Sequence, residues 1–131
     1  MNAMLCVDDD ECVLRALSQD LKNEFANDFI IELSQSAADA FEILDEFEQD
    51  DTKLVVIISD WQMPGMKGDE FLIKINHMFP KVIKIMLTGQ INEEAMENVK
   101  LNAGLKKIFT KPWDSKELIT LIKRELENIY E

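Results

Sequence analysis

Short apolar runs alternate along this chain with stretches in which apolar residues recur at helical spacing. Residues 3–7 read as a strand, and Leu14, Leu17, Leu21 and Phe25 then form a helical stripe. Residues 29–33 give a second strand. Ser36 is the expected N-cap of the helix after it, with Asp39 in its first turn and Ala40, Phe41, Ile43, Leu44 and Phe47 as its apolar residues. Residues 54–59 are the most apolar run, as expected of a strand covered on both faces. A Pro64-Gly65 turn and Gly68 lead into a helix carrying Phe71, Leu72, Ile75 and Met78, which stops before Pro80. Residues 82–87 are the fourth strand, and residues 91–101 the fourth helix, closed near Asn102 and Gly104. Residues 107–110 are the fifth strand. Asp114 then caps a last helix with Leu118, Ile119, Ile122, Leu126 and Ile129 on its apolar side. Five strands alternating with five helices imply parallel crossovers, because each helix must bury its stripe against the sheet. The expected fold is a doubly wound α/β domain.

The chain has 131 residues, enough for one domain with a substantial core, and shows no internal repeat or linker; residues 1–131 are expected to form that domain. Acidic residues number 26 against 14 basic ones, a formal net charge of -12, which repels nucleic-acid phosphates and anionic membranes. Direct nucleic-acid binding is not expected. The apolar runs are shorter than the roughly 18 to 20 residues of a membrane span, and acids stand where a signal peptide would be basic, so a cytoplasmic protein is expected. Cys6 lies in a strand and reads as core packing; Cys6 and Cys12 do not make a metal-binding pair or a disulfide framework. The acidic stretch from Asp45 to Asp51 reads as a solvated helix end and loop.

The chemistry collects at the strand ends. The first strand ends at Asp8 and Asp9, the third at Asp60, the fourth at Thr88 and the fifth at Lys111. In a parallel sheet these positions converge on the carboxyl edge, where open α/β folds bind ligands. Neighbouring carboxylates repel by roughly 4 kcal/mol per pair at 4 Å and an effective dielectric of about 20, so such a site favours a bound cation or a protonated member. Oxygen ligands without nearby His or Cys favour Mg2+ over zinc. With the pocket partly neutralised, a carboxylate can attack a phosphoryl donor while Lys111 and Thr88 stabilise the transferred group.

Four segments carry a resemblance: Val7-Asp8-Asp9, Asp60-Trp61-Gln62-Met63-Pro64-Gly65-Met66, Leu87-Thr88-Gly89 and Thr110-Lys111-Pro112-Trp113, in order and each at a strand end. The chain resembles, over essentially its whole length, the receiver domain of two-component response regulators. That resemblance implies a flavodoxin-like (βα)5 sandwich with a parallel sheet in the order 2-1-3-4-5. It implies that Asp60 is phosphorylated by a sensor histidine kinase or phosphotransfer protein, and that Mg2+ is held by Asp9, Asp60 and the backbone carbonyl of Gln62, with Asp8 acting mainly through water. Thr88 and Lys111 would contact the phosphoryl group, and a cis Lys111-Pro112 bond is common in the family. The signalling surface would comprise the fourth helix, fifth strand and fifth helix, which also offers a route to a homodimer. The family's switch usually places an aromatic residue three positions before the lysine, where this chain has Ile108. Adjacent Phe109 points to the opposite face of a strand and does not replace it.

Two other functions compete with the signalling switch: a Mg2+-dependent phosphatase or phosphotransferase using an aspartyl-phosphate, and a receiver-like interaction module that no longer takes phosphate. The first would need a substrate cap or a second acid/base near the nucleophile, and the intact Asp8, Asp9, Asp60, Thr88 and Lys111 argue against the second. Asp10 and Glu11 read as caps of the first helix, His77 as a surface residue far from the acidic edge, and Trp61 and Trp113 as either partner contacts or packing at the site mouth.

Overall fold

The computed structural model describes residues 1–63, 65–89 and 93–130. Its elements are β1 (Asn2–Val7), α1 (Glu11–Phe25), β2 (Phe29–Ser34), α2 (Ala37–Gln49), β3 (Lys53–Asp60), α3 (Gly68–Met78), β4 (Ile83–Thr88), α4 (Glu93–Ala103), β5 (Lys107–Thr110) and α5 (Ser115–Tyr130). All five strands run parallel in the order β2-β1-β3-β4-β5. The doubly wound, flavodoxin-like fold expected from the sequence is therefore the fold observed. Because the chain places β2 on one side of β1 and β3 on the other, the crossovers change direction there and open a crevice at the carboxyl edge.

Helix starts follow their capping chemistry. The Asp10 side chain accepts from the Cys12 amide, that of Ser36 from the Asp39 amide, and that of Asp114 from the Lys116 and Glu117 amides. At the other end of α4, Gly104 takes a positive φ of 65°, the left-handed stop that a glycine permits. Pro64 of the expected turn and Ile91 at the expected start of the fourth helix lie outside the described residues.

Two apolar layers sandwich the sheet. On one face, α2, α3 and α4 contribute Ala40, Leu44, Phe71, Leu72, Ile75 and Ala103 against Leu5, Ile57 and Met86. On the other, α1 and α5 contribute Leu14, Leu17, Leu21, Leu118 and Ile122 against Met4, Ile58, Leu87 and Phe109. The expected stripes overshoot at two helix ends. Met78 and Ile129 are exposed and border a groove at the amino edge of the sheet, since the last turns of α3 and α5 run past the strands they cover. No helix among the described residues is long and apolar enough to cross a membrane.

Candidate functional site

Three strands deliver carboxylates and a lysine to one edge. Asp8 follows β1 and is fully buried, Asp9 follows it and is exposed, and Asp60 is the last residue of β3 and buried. One carboxylate oxygen from each of these three residues lies within 4.8 Å of the others. Lys111, just past β5, reaches across: its Nζ donates to Asp8 Oδ2 at 2.8 Å and lies 3.2 Å from Asp60 Oδ1. Thr88 ends β4 beside them and is buried, with its carbonyl accepting from the Lys111 amide at 2.8 Å.

Backbone pairing sets this convergence. Asp60 pairs with Leu87 and Thr88 with Thr110, so the last residues of β3, β4 and β5 come level at the same edge. Asp8 is held by its own amide on the Ser34 carbonyl and by an Asp8 carboxylate oxygen accepting from the Asp10 amide at 2.9 Å. The β3–α3 loop folds back tightly, with the Gly68 amide donating to the Trp61 carbonyl at 2.6 Å. A Cβ at Gly68 would run into the Asp60 carbonyl oxygen and the Trp61 Cα, so this close approach requires glycine. Gln62 lies in that loop with its side chain exposed, between half-buried Trp61 and buried Met63, both of which pack on the core.

The electrostatics follow from burial and from the surplus of negative charge. Burial raises the Asp8 carboxyl above the usual carboxylate range; the Lys111 hydrogen bond and the Asp10 amide pull it down, while nearby Asp60 pushes it up again. Burial also works against the Lys111 ammonium, but the hydrogen bond and charge of Asp8, with Asp60 adding to them, outweigh it and leave its pKa raised. Among the described residues, one lysine thus meets a cluster of three carboxylates, touching Asp8 and Asp60.

A family model for the response regulator receiver domain matches residues 4–123. The chain belongs to that family. The receiver domain of a CheY-like response regulator protein from Methanospirillum hungatei superposes with a TM-score of 0.81 at 30% identity, covering 98% of this chain and 95% of that one. Among curated proteins, the hydrogenase transcriptional regulatory protein HoxA of Cupriavidus necator is 31% identical over 72 residues, 55% of this chain and 15% of its own length. HoxA of Bradyrhizobium diazoefficiens is 26% identical over 125 residues, 95% of this chain and 24% of its own length. This receiver domain therefore spans about a quarter or less of the curated relatives it matches.

Within the receiver domain, the residues singled out from sequence are brought to one edge: Asp8, Asp9 and Asp60 as a cluster, Lys111 across it, and Thr88 and the Gln62 loop beside it. The Lys111-Pro112 peptide is cis. His77 is exposed at the last turn of α3. Trp113, left between two readings by the sequence, is half-buried against the α1/α5 layer, and its indole Nε1 donates to Asp20 Oδ2 at 3.0 Å. Asp20 was not visible as a candidate. It sits between Leu17 and Leu21 of the α1 stripe, and only the need of a half-buried indole N–H for an acceptor could have pointed to it.

Proposed function

We propose that this receiver domain is a phosphorylation-controlled signalling switch in which Asp60 accepts a phosphoryl group from a sensor histidine kinase or phosphotransfer protein. The observation that carries the reading is the cluster of Asp8, Asp9 and Asp60 within 4.8 Å, with the Lys111 ammonium between Asp8 and Asp60. A carboxylate oxygen of Asp60 attacks phosphorus, the bond to the donor's leaving group breaks, and a mixed carboxylic–phosphoric anhydride results. Lys111 is placed to neutralise the phosphoryl oxygens and Thr88 to donate a hydrogen bond to one of them.

The donor set suits Mg2+. It is all oxygen, and Lys111 leaves two of the three carboxylate charges uncompensated. Asp9, Asp60 and the Gln62 carbonyl would hold the ion, with Asp8 acting mainly through water, and Mg2+ would supply positive charge against the repulsion of pocket and phosphate. The chain catalyses its own phosphorylation and dephosphorylation rather than the turnover of a separate substrate.

Readout runs through the face on which Thr88 lies. Met86 and Ile108 are register neighbours and both pack in the α2/α3/α4 layer, whereas Phe109 is buried in the opposite one. An aliphatic switch at Ile108 follows, feeding the surface of α4, β5 and α5, through which a second copy or an output partner docks. A coupling of roughly 1 to 3 kcal/mol is typical of such switches. Phe109 rotating toward Thr88 on phosphorylation would contradict the aliphatic route.

Incubation with Mg2+ and acetyl phosphate, followed by intact mass measurement, tests the proposal. A phosphate-sized adduct that Asp60→Asn lacks supports it. Absence of an adduct with every donor favours a bare interaction module, and steady release of phosphate from small esters favours an enzyme.

A further inference from the structure

We propose that Asp20 is a positioning residue for phosphoryl transfer, fixing the segment that presents Lys111; this rests on the reading of Asp60 as phosphoacceptor. One oxygen of Asp20, Oδ2, accepts from Trp113 Nε1 at 3.0 Å and from Ser115 Oγ at 2.7 Å. These donors flank Asp114, whose own carboxylate caps α5 through the Lys116 and Glu117 amides. A single α1 carboxylate therefore grips both sides of the turn that joins Lys111 to α5.

The anchor is well chosen. α1 begins at Glu11, immediately after the Asp8-Asp9-Asp10 run, and Asp10 is its N-cap. Asp20 stands about 15 Å further along the same rod at 1.5 Å per residue. The helix thus sets the spacing between the loop that holds Asp8 and the loop that delivers Lys111. Asp20 also places negative charge at the N-terminus of α5, where the helix dipole favours it. The Trp113 ring packs against the α1/α5 layer, so the tie has an apolar footing as well as polar bonds.

A second polar bridge joins the same two helices at a distance from this turn. Lys123 Nζ lies 3.0 Å from Glu24 Oε2, with both side chains about half exposed. It shares the docking of α1 on α5 but holds nothing next to Lys111. Glu24→Ala is therefore the control for a merely structural role.

The test compares the wild-type chain with Asp20→Ala, Asp20→Asn, Trp113→Phe and Glu24→Ala. Adduct formation from acetyl phosphate at saturating Mg2+ is followed by intact mass, Mg2+ binding by calorimetry, and the folded fraction by circular dichroism. Asp20→Ala is expected to slow phosphorylation of the folded protein roughly tenfold, short of the ~100-fold that a 1 Å misplacement can cost, without weakening Mg2+ binding. Asp20→Asn, which keeps an oxygen acceptor for both donors, restores most of the rate; Trp113→Phe, which removes one donor, falls between them; Glu24→Ala matches wild type. An unchanged rate in Asp20→Ala, a failure of Asp20→Asn to rescue, or an equal loss in Glu24→Ala overturns the positioning role. If the wild-type chain itself takes no adduct, the phosphoacceptor reading fails and this inference fails with it.

Discussion

Lys111 and Lys84 lie at opposite edges of the same sheet, and the sheet treats their charges in opposite ways. Lys111 reaches into the carboxyl edge, where Asp8 and Asp60 surround its ammonium and raise its pKa even though burial opposes this. Lys84, near the start of β4, is 1% exposed and donates to the Val82 and Pro80 carbonyls at 2.8 and 3.3 Å. Among the described residues it has no carboxylate partner. Burial, with the charge of Lys106 adding to it, lowers its pKa. Carbonyl dipoles make a buried ammonium tolerable, but a surplus of carboxylates makes one necessary. The second arrangement keeps negative charge over when the lysine is counted, and that remainder makes the carboxyl edge the candidate site for chemistry.

The largest expected effect separates the two lysines by function. Lys111→Met should slow acquisition of phosphate by about 100-fold, as loss of a group that stabilises transition-state charge typically does. Lys84→Met should take up phosphate at the wild-type rate. Comparable losses in both, measured by the time course of adduct formation, would erase the distinction between the edges.

Next in size is the backbone support of the carboxyl edge. Gly68→Ala forces a methyl group against the Asp60 carbonyl and should cost about 2 kcal/mol in denaturant unfolding, within the range for overpacking. An unchanged midpoint would mean that the β3–α3 loop is not held as tightly as its geometry implies.

At the amino edge the change should be smaller and should depend on pH. Lys84→Met exchanges a desolvated charge for an apolar side chain but leaves two carbonyls without their donor, so the net effect at neutral pH should be only about 1 kcal/mol. The cost of carrying the Lys84 charge inside is fully present below its folded pKa. It disappears as pH rises through that lowered value toward the ordinary 10.5, so the wild-type protein should gain stability on the variant in that alkaline window. A difference that is flat with pH, or that falls as pH rises, would show that Lys84 is not penalised by burial.

The fold was legible because its punctuation is local. The stripe of α1, the caps at Ser36 and Asp114 and the 107–110 strand each depend on neighbours a few residues away, and each stands where its pattern put it. Met78 and Ile129 misled because period cannot show where a helix outruns the sheet beneath it. At the site, the strand-end residues were legible together because a parallel sheet gathers its carboxyl ends. Lys84 and Asp20 were not, since one depends on carbonyls folded back over its own strand and the other on an indole and a hydroxyl from the far end of the chain.

The smallest test reads burial without disturbing either edge. Burial pushes the Cys6 thiol up to about 12, while Cys12 is exposed. A thiol reagent at mildly alkaline pH should modify Cys12 in the native protein and reach Cys6 only on unfolding. Equal labelling of both would show that β1 is not enclosed by its two layers.

If the surplus negative charge of the carboxyl edge serves phosphoryl transfer, Asp60 is the acceptor. Treating the Mg2+ and acetyl phosphate reaction product with borohydride reduces an aspartyl phosphate to homoserine, which peptide mass mapping locates. Homoserine at position 60, and not at positions 8 or 9, is the expected result; its appearance at another position, or its absence from a protein that carries phosphate, would overturn Asp60 as the phosphoacceptor.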